Sequence, residues 1–166
     1  DSLRKVLICG WYGTETLGDK GILAGLIYSF REVYGDVDID VASLVPYVTQ
    51  MTSRQMPELG INKVLSYEDA HKEIEKRQYQ LVVMGGGPLM SAVKSVRKVF
   101  DLFHVAKMSG AQTMVGGCGI GPIFNNLNTK FINGILEMSD AVVLRDENST
   151  KLAEELQPPQ DKSYET

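Results

Sequence analysis

Three clusters of glycine are the residues of this chain whose type and spacing best suit ligand chemistry. They begin at Gly10, Gly85 and Gly116, and each follows directly after a short apolar run. Backbone without Cβ atoms lets a ligand approach closely, and a helix that begins after such a turn presents N–H groups and the positive end of its dipole. Three such turns along one edge of a sheet would cradle a phosphate or a carboxylate. The glycines that we expect to contact substrate are Gly10, Gly13, Gly18, Gly85, Gly86, Gly87, Gly119 and Gly121.

The first cluster follows neither standard phosphate-binding pattern. The segment Gly10-Trp11-Tyr12-Gly13 is not G-x-G-x-x-G, and no G-x-x-x-x-G-K-[ST] occurs in the chain. Any one cluster could therefore serve only as a tight turn between a strand and a helix. The coincidence of three clusters favours ligand binding.

Side chains near the first cluster suit a sugar. Asp19 falls in the first turn of the predicted first helix, where it could accept a hydrogen bond from a sugar hydroxyl or act as a base. Capping of that helix is the alternative. Tyr12 and Trp11 could stack on a sugar ring or pack within the loop. We take Asp19 as a catalytic candidate and Tyr12 as a substrate contact.

Arg145 is the candidate for holding an anion. It follows the apolar run Ala141–Leu144, which predicts a strand that carries it to the same edge as the glycine clusters. A planar guanidinium donates two parallel hydrogen bonds to a carboxylate or a phosphate. A salt bridge to the adjacent Asp146 is the structural alternative. We take Arg145, with Asp19, as a catalytic candidate.

The elements that must position these residues alternate along the chain. Apolar runs predict strands over 4–9, 37–42, 63–65, 79–84, 111–115 and 141–144, and amphipathic stretches between them predict helices, with a last helix over 148–156. This alternation predicts an α/β fold with a doubly wound, mostly parallel, Rossmann-like sheet of about six or seven strands. Ligands bind such sheets at the carboxyl ends of the strands, so we expect all three clusters at one edge.

Composition excludes several classes of protein. The 166 residues include 17 Lys and Arg and 21 Asp and Glu, which gives a net charge of −4. The chain therefore lacks the excess of positive charge that is typical of nucleic-acid-binding proteins. With 43% hydrophobic and 23% charged residues, the chain is not of the disordered class. No apolar run reaches the roughly 20 residues of a transmembrane helix, and the opening residues show no signal-peptide pattern. We expect a cytoplasmic protein.

Four motifs together resemble the polysaccharide pyruvyl transferase family. They occur in the family's order, and each stands at the end of a predicted strand. The resemblance covers about residues 4–157 and matches the first half of the family's pattern. The motifs are Gly10-Trp11-Tyr12-Gly13 with Leu17-Gly18-Asp19, Met84-Gly85-Gly86-Gly87-Pro88-Leu89, Gly119-Ile120-Gly121-Pro122, and Leu144-Arg145-Asp146-Glu147-Asn148-Ser149.

The resemblance implies a reaction and its partners. Family members transfer the pyruvyl group of phosphoenolpyruvate to a sugar, as a ketal that bridges two hydroxyls, and the scheme requires no metal or redox cofactor. Arg145 matches the position where a contact to the donor anion is implied. The implied acceptor is a glycan or a lipid- or nucleotide-linked sugar of a cell-surface polysaccharide, and a lipid-linked acceptor would bring the protein to the membrane surface. The oligomeric state stays open.

The resemblance also implies a domain organisation. Family members are similar to glycosyltransferase-B-like enzymes with two domains, so we expect residues 1–157 to form the Rossmann-like N-terminal domain and 158–166 a linker toward a second domain. The 166-residue chain alone is then expected to be inactive. Two alternatives stay open: a nucleotide-sugar-dependent glycosyltransferase of the same architecture, and a non-catalytic module that binds a glycan or an anion.

The two cysteines test the cytoplasmic expectation. Cys9 and Cys118 are the only cysteines of the sequence, and reducing compartments keep such thiols reduced. We expect two titratable thiols per chain when they are counted under denaturing, non-reducing conditions. A count of zero would show that the two residues form a disulfide and would contradict the expected compartment.

Overall fold

A computed structural model describes residues 4–10, 17–85, 93–118, 126–144 and 164–165. The strands are β1 (Lys5–Cys9), β2 (Asp38–Ala42), β3 (Ile61–Leu65), β4 (Leu81–Gly85), β5 (Gln112–Cys118), β6 (Ala141–Leu144) and β7 (Tyr164–Glu165). The helices are α1 (Leu17–Tyr34), α2 (Pro46–Gln55), α3 (Tyr67–Glu75), α4 (Val93–Met108) and α5 (Asn126–Met138), and a 3₁₀ turn spans Pro57–Leu59.

The strands form a single sheet in which every described pairing is parallel. Their order is β3-β2-β1-β4-β5-β6-β7. The predicted doubly wound, Rossmann-like α/β fold is confirmed, and so is the predicted number of strands. β7 lies within 158–166, the segment that the sequence predicts as a linker, and pairs with β6. The helix predicted over 148–156 lies outside the described residues.

Alternate residues of each strand build two cores, one on each face of the sheet. In β1, Val6 and Ile8 face a core with α1 and the 3₁₀ turn, whereas Leu7 and Cys9 face a core with α3, α4 and α5. All four of these side chains are fully buried. Strands buried on both faces have the continuous apolar sequence seen here, because neither face is left for solvent.

β5 is longer than the sequence predicts. The predicted strand ends at Val115, where the first of two consecutive glycines follows, but the observed strand continues through both glycines to Cys118. Gly116 pairs with Gly85 of β4 and with Val143 of β6, so its backbone is part of the ladder. A Cβ on Gly116 would lie 3.3 Å from the end of the Met114 side chain and 3.6 Å from Leu26 of α1, so the position has little spare room. Gly116 is part of a strand and not of a turn.

Two glycines inside helices provide a test of this packing. A Cβ on Gly25 of α1 would have no neighbouring atom within 4 Å, whereas a Cβ on Gly134 of α5 would lie 2.3 Å from the Phe100 ring of α4. We expect Gly25→Ala to raise the free energy of unfolding by about 1 kcal/mol, because alanine favours helix. Gly134→Ala should lower it by roughly 1–3 kcal/mol, because it overpacks the α4–α5 contact.

Urea denaturation of the two variants beside the wild type measures both changes. Two substitutions of the same chemical kind are then expected to shift stability in opposite directions. A Gly134→Ala variant as stable as Gly25→Ala would contradict the described packing of α4 on α5.

Candidate functional site

The carboxyl ends of the strands lie along one edge of the sheet, as expected for the glycine clusters. Gly10 follows β1, and Gly85 ends β4, which pairs with β1. Gly85 in turn pairs with Gly116 of β5. All three glycines are buried. Gly10, Gly85 and Gly116 therefore lie in, or directly after, three consecutive strands of the sheet.

The chain turns to opposite faces of the sheet on either side of this point. After β1 it passes to α1, whose side chains pack in one core, and after β4 it passes to α4, whose side chains pack in the other. Such a change of direction between adjacent strands opens a crevice, and this is where open α/β sheets bind ligands. Gly10 and Gly85 stand on its two sides.

The predicted site residues fall into two groups. Gly18 and Asp19 lie in the first turn of α1, so the backbone position expected for Asp19 is observed, whereas Gly18, expected in the loop, belongs to the helix. The helix begins at Leu17, before the glycine that was expected to precede it. The predicted residues outside the described ranges are Tyr12, Gly13, Gly86, Gly87, Gly119, Gly121 and Arg145.

A tyrosine that the sequence analysis did not single out is part of this edge. The Tyr67 hydroxyl accepts a hydrogen bond from the Gly10 N–H at 3.1 Å and donates one to the Gly10 carbonyl. The side chain is 7% exposed. The Tyr67 hydroxyl therefore forms hydrogen bonds with both the N–H and the carbonyl of Gly10, the residue that follows β1.

The start of α3 holds Tyr67 in place. Ser66 caps this helix by accepting a hydrogen bond from the Asp69 N–H at 3.1 Å. Tyr67 is the first helical residue and packs with Ala42 and Cys9 in the same core. The phenol therefore reaches from the end of β3 past the end of β2 to β1.

The end of β2 carries a second buried polar contact. The Ser43 hydroxyl lies 2.6 Å from the Thr49 hydroxyl and accepts a hydrogen bond from the Val45 N–H at 3.1 Å. Both hydroxyl residues are buried. The contact joins the end of β2 to the first turns of α2 and so fixes the path of the chain beside the crevice.

Comparison with known proteins decides the family. The profile of the family described as "Polysaccharide pyruvyl transferase" matches residues 12–165. The chain belongs to this family. Its membership supports a general role in pyruvyl transfer and a polysaccharide as the class of acceptor. No curated protein matches the chain in sequence.

A solved structure shares the fold of this family member. The protein described as "Structure of MT0777" superposes with a TM-score of 0.51 at 11% identity, over 97% of this chain and 83% of that one. At this identity the likeness shows the fold alone. Among the described residues, no helix is both long and apolar enough to cross a membrane. In the same ranges, no three His, Cys, Asp or Glu side chains converge as a metal site requires.

A buried acid lies away from the crevice of this pyruvyl transferase family member. Asp40, 1% exposed, accepts hydrogen bonds from the Tyr79 hydroxyl at 2.6 Å and from the Asn62 side-chain amide at 3.1 Å. Lys5 Nζ lies 3.9 Å from the same carboxylate. Tyr79 precedes β4 and Lys5 begins β1, so the cluster lies toward the amino ends of these strands. It therefore joins strands and is separate from the candidate site.

The bulge in β3 explains how Asn62 reaches this acid. Ile39 pairs with Ile61, but the next residue, Asp40, pairs with Lys63, so Asn62 is an extra residue in the ladder. A bulge of this kind redirects a side chain. Nothing in the local sequence pattern marks it, since it depends on the register of two strands.

The Tyr79 phenol gives this cluster a measurable pH dependence. Burial, and then its hydrogen bond to the Asp40 carboxylate, raise the pKa of Tyr79 above its usual value. Its contribution to stability is therefore present at neutral pH and is lost as the pH rises above the unfolded-state pKa of about 10, where the unfolded chain releases the proton first.

We expect the free energy of unfolding to fall more steeply above pH 10 in the wild type than in Tyr79→Phe. The difference in slope should approach about 1.4 kcal/mol per pH unit, the value for one proton. Urea denaturation at several pH values between 7 and 11 measures it. Equal slopes for the two proteins would show that Tyr79 is not held in its neutral form.

Proposed function

We propose that this protein transfers the pyruvyl group of phosphoenolpyruvate to a sugar of a cell-surface polysaccharide or its precursor, and that it does so in the cytoplasm. The observation that carries the proposal is the family match over residues 12–165. It is supported by the arrangement of the strands that precede the family's glycine motifs, because β1, β4 and β5 are neighbours and end at one edge.

The reaction sets definite requirements. A proton is added to the methylene carbon of the donor, which becomes a methyl group, and one sugar hydroxyl attacks the adjacent carbon and loses its proton. The bond from that carbon to the phosphate oxygen breaks, phosphate leaves, and the second hydroxyl closes the ketal with loss of its own proton. The protein must therefore bind a carboxylate and a phosphate, orient two hydroxyls and move protons.

The candidate site suits an anionic donor. None of the strands from β1 to β6 ends in an acidic side chain at this edge: their last residues are Cys9, Ala42, Leu65, Gly85, Cys118 and Leu144. The buried acid Asp40 lies toward the opposite edge. A dianion or trianion at the crevice would therefore lie near the positive end of α1, where Asp19 is the acid proposed to serve the acceptor.

Within the proposal, the candidate residues have separate roles. Arg145, which directly follows β6, binds the carboxylate or phosphate of the donor. Asp19, in the first turn of α1, accepts a hydrogen bond or a proton from a sugar hydroxyl. Tyr12 stacks on the sugar, and the glycines permit close approach of the donor. The acceptor is a glycan or a lipid- or nucleotide-linked sugar.

Substitution of Arg145 in the full-length protein tests this proposal. Arg145→Ala removes a charge-assisted contact to the donor, which costs roughly 2–5 kcal/mol. We expect kcat/KM for phosphoenolpyruvate to fall about 30- to several-thousand-fold. Arg145→Lys should recover part of this loss, because an ammonium keeps the charge without the two-pronged geometry. Phosphate release in the presence of acceptor is the assay.

Arg54→Ala is the matched control. Arg54 is exposed in the last turn of α2, before the 3₁₀ turn that leads to the start of β3, and its loss should leave kcat/KM unchanged. If Arg145→Ala lowers the melting temperature and leaves the kinetics of the folded enzyme near wild type, Arg145 is a structural residue. If the protein consumes a nucleotide-sugar and not phosphoenolpyruvate, its function is glycosyl transfer and the proposal of pyruvyl transfer is wrong.

A further inference from the structure

We infer that Tyr67 is a positioning residue for the donor site. Its hydroxyl holds Gly10 and thereby sets the point and direction from which the chain leaves β1 toward residues 11–16. The inference rests on the proposed function and deepens it, because it names a residue outside the glycine motifs on which transfer depends.

The geometry of Gly10 explains why this contact matters. Cys9 is the last residue of β1 to pair, with Ala42 on one side and Met84 on the other, so Gly10 is the first residue beyond the ladder. It is nevertheless buried. Buried backbone groups need partners, and the Tyr67 hydroxyl serves as acceptor for the N–H and as donor to the carbonyl.

Tyrosine has the length and the terminal hydroxyl that this contact requires from α3. In the sheet, β2 separates β3 from β1, and neighbouring strands are about 4.8 Å apart. The phenol spans this gap beside Ala42, whose small side chain is in the same core. The Ser66 cap and the burial of the ring fix the position of the hydroxyl. The contact therefore holds Gly10 from a rigid element.

A shift at Gly10 would move the donor relative to the acceptor. The residues that follow Gly10 directly include Tyr12 and Gly13, which the proposal places against substrate. Because a displacement of about 1 Å can cost roughly 100-fold in rate, a modest loosening at this point should reduce turnover. Tyr67 acts through Gly10 and need not touch the substrate.

Two tyrosine-to-phenylalanine substitutions separate positioning from stability. Tyr67→Phe keeps the buried ring and removes the hydroxyl that holds Gly10. Tyr79→Phe is the matched control, because it removes another buried hydroxyl from the same core, the one that donates to Asp40 at 2.6 Å. Both variants should melt at lower temperature than the wild type, so kinetics are measured in the full-length protein well below either melting temperature.

We expect Tyr67→Phe to lower kcat with phosphoenolpyruvate and acceptor about 10- to 100-fold, with a smaller change in KM. The reason is that misalignment destabilises the transition state more than it weakens substrate binding. Tyr79→Phe should keep both constants near wild type. Hydrogen exchange at the Gly10 amide should accelerate in Tyr67→Phe and stay at the wild-type rate in Tyr79→Phe.

The outcomes distinguish this inference from the proposed function. An active wild type with equal kinetics in the two variants overturns the positioning role and leaves pyruvyl transfer standing. A wild type that does not release phosphate from phosphoenolpyruvate overturns the proposed function. If the wild type is inactive, hydrogen exchange still tests the contact: a Gly10 amide that exchanges at the wild-type rate in Tyr67→Phe would show that the hydroxyl does not hold Gly10.

Discussion

The opposite crossovers that follow β1 and β4 are the constraint on which the rest of this structure depends. A parallel strand must be followed by a connection over one face of the sheet, and these adjacent strands use different faces, through α1 and α4. The helices α1 and α4 therefore diverge to opposite faces, and open α/β sheets bind ligands in the crevice at such a point, here between Gly10 and Gly85. Both cores depend on this divergence, because it distributes helices to both faces and buries every central strand.

Two buried phenols stabilise the sheet at opposite ends, and their different partners indicate different roles. Tyr79 donates to the Asp40 carboxylate, and together with Asn62 and Lys5 it joins the starts of the strands. Tyr67 binds the backbone of Gly10 at the far end, where the chain leaves the ladder. The first arrangement neutralises a buried charge. The second holds Gly10, the first residue beyond the ladder, and we infer that this contact serves the proposed reaction.

Periodic features of the sequence predicted the fold, and contacts distant in sequence limited the prediction of the site. Continuous apolar runs and helical spacing located every described strand from β1 to β6, since burial on both faces imposes that pattern. Glycine was misleading in β5, where Gly116 continues the strand and pairs with Gly85 and Val143. The Tyr67 contact joins residues 57 apart, and the Asn62 contact depends on a bulge, so no local pattern reveals either. Arg145 and the glycines outside the described ranges stay predictions.

Hydrogen–deuterium exchange of the full-length protein with and without phosphoenolpyruvate tests the central claim, that the donor binds at the carboxyl edge beside β1 and β4. The account predicts slower exchange in peptides that contain Gly10, Gly85 or Gly116. It predicts no change in peptides that contain Asp40 or Tyr79, which lie toward the amino edge, and that contain none of those three glycines. Protection confined to the amino edge, or no protection anywhere at saturating donor, would contradict the account.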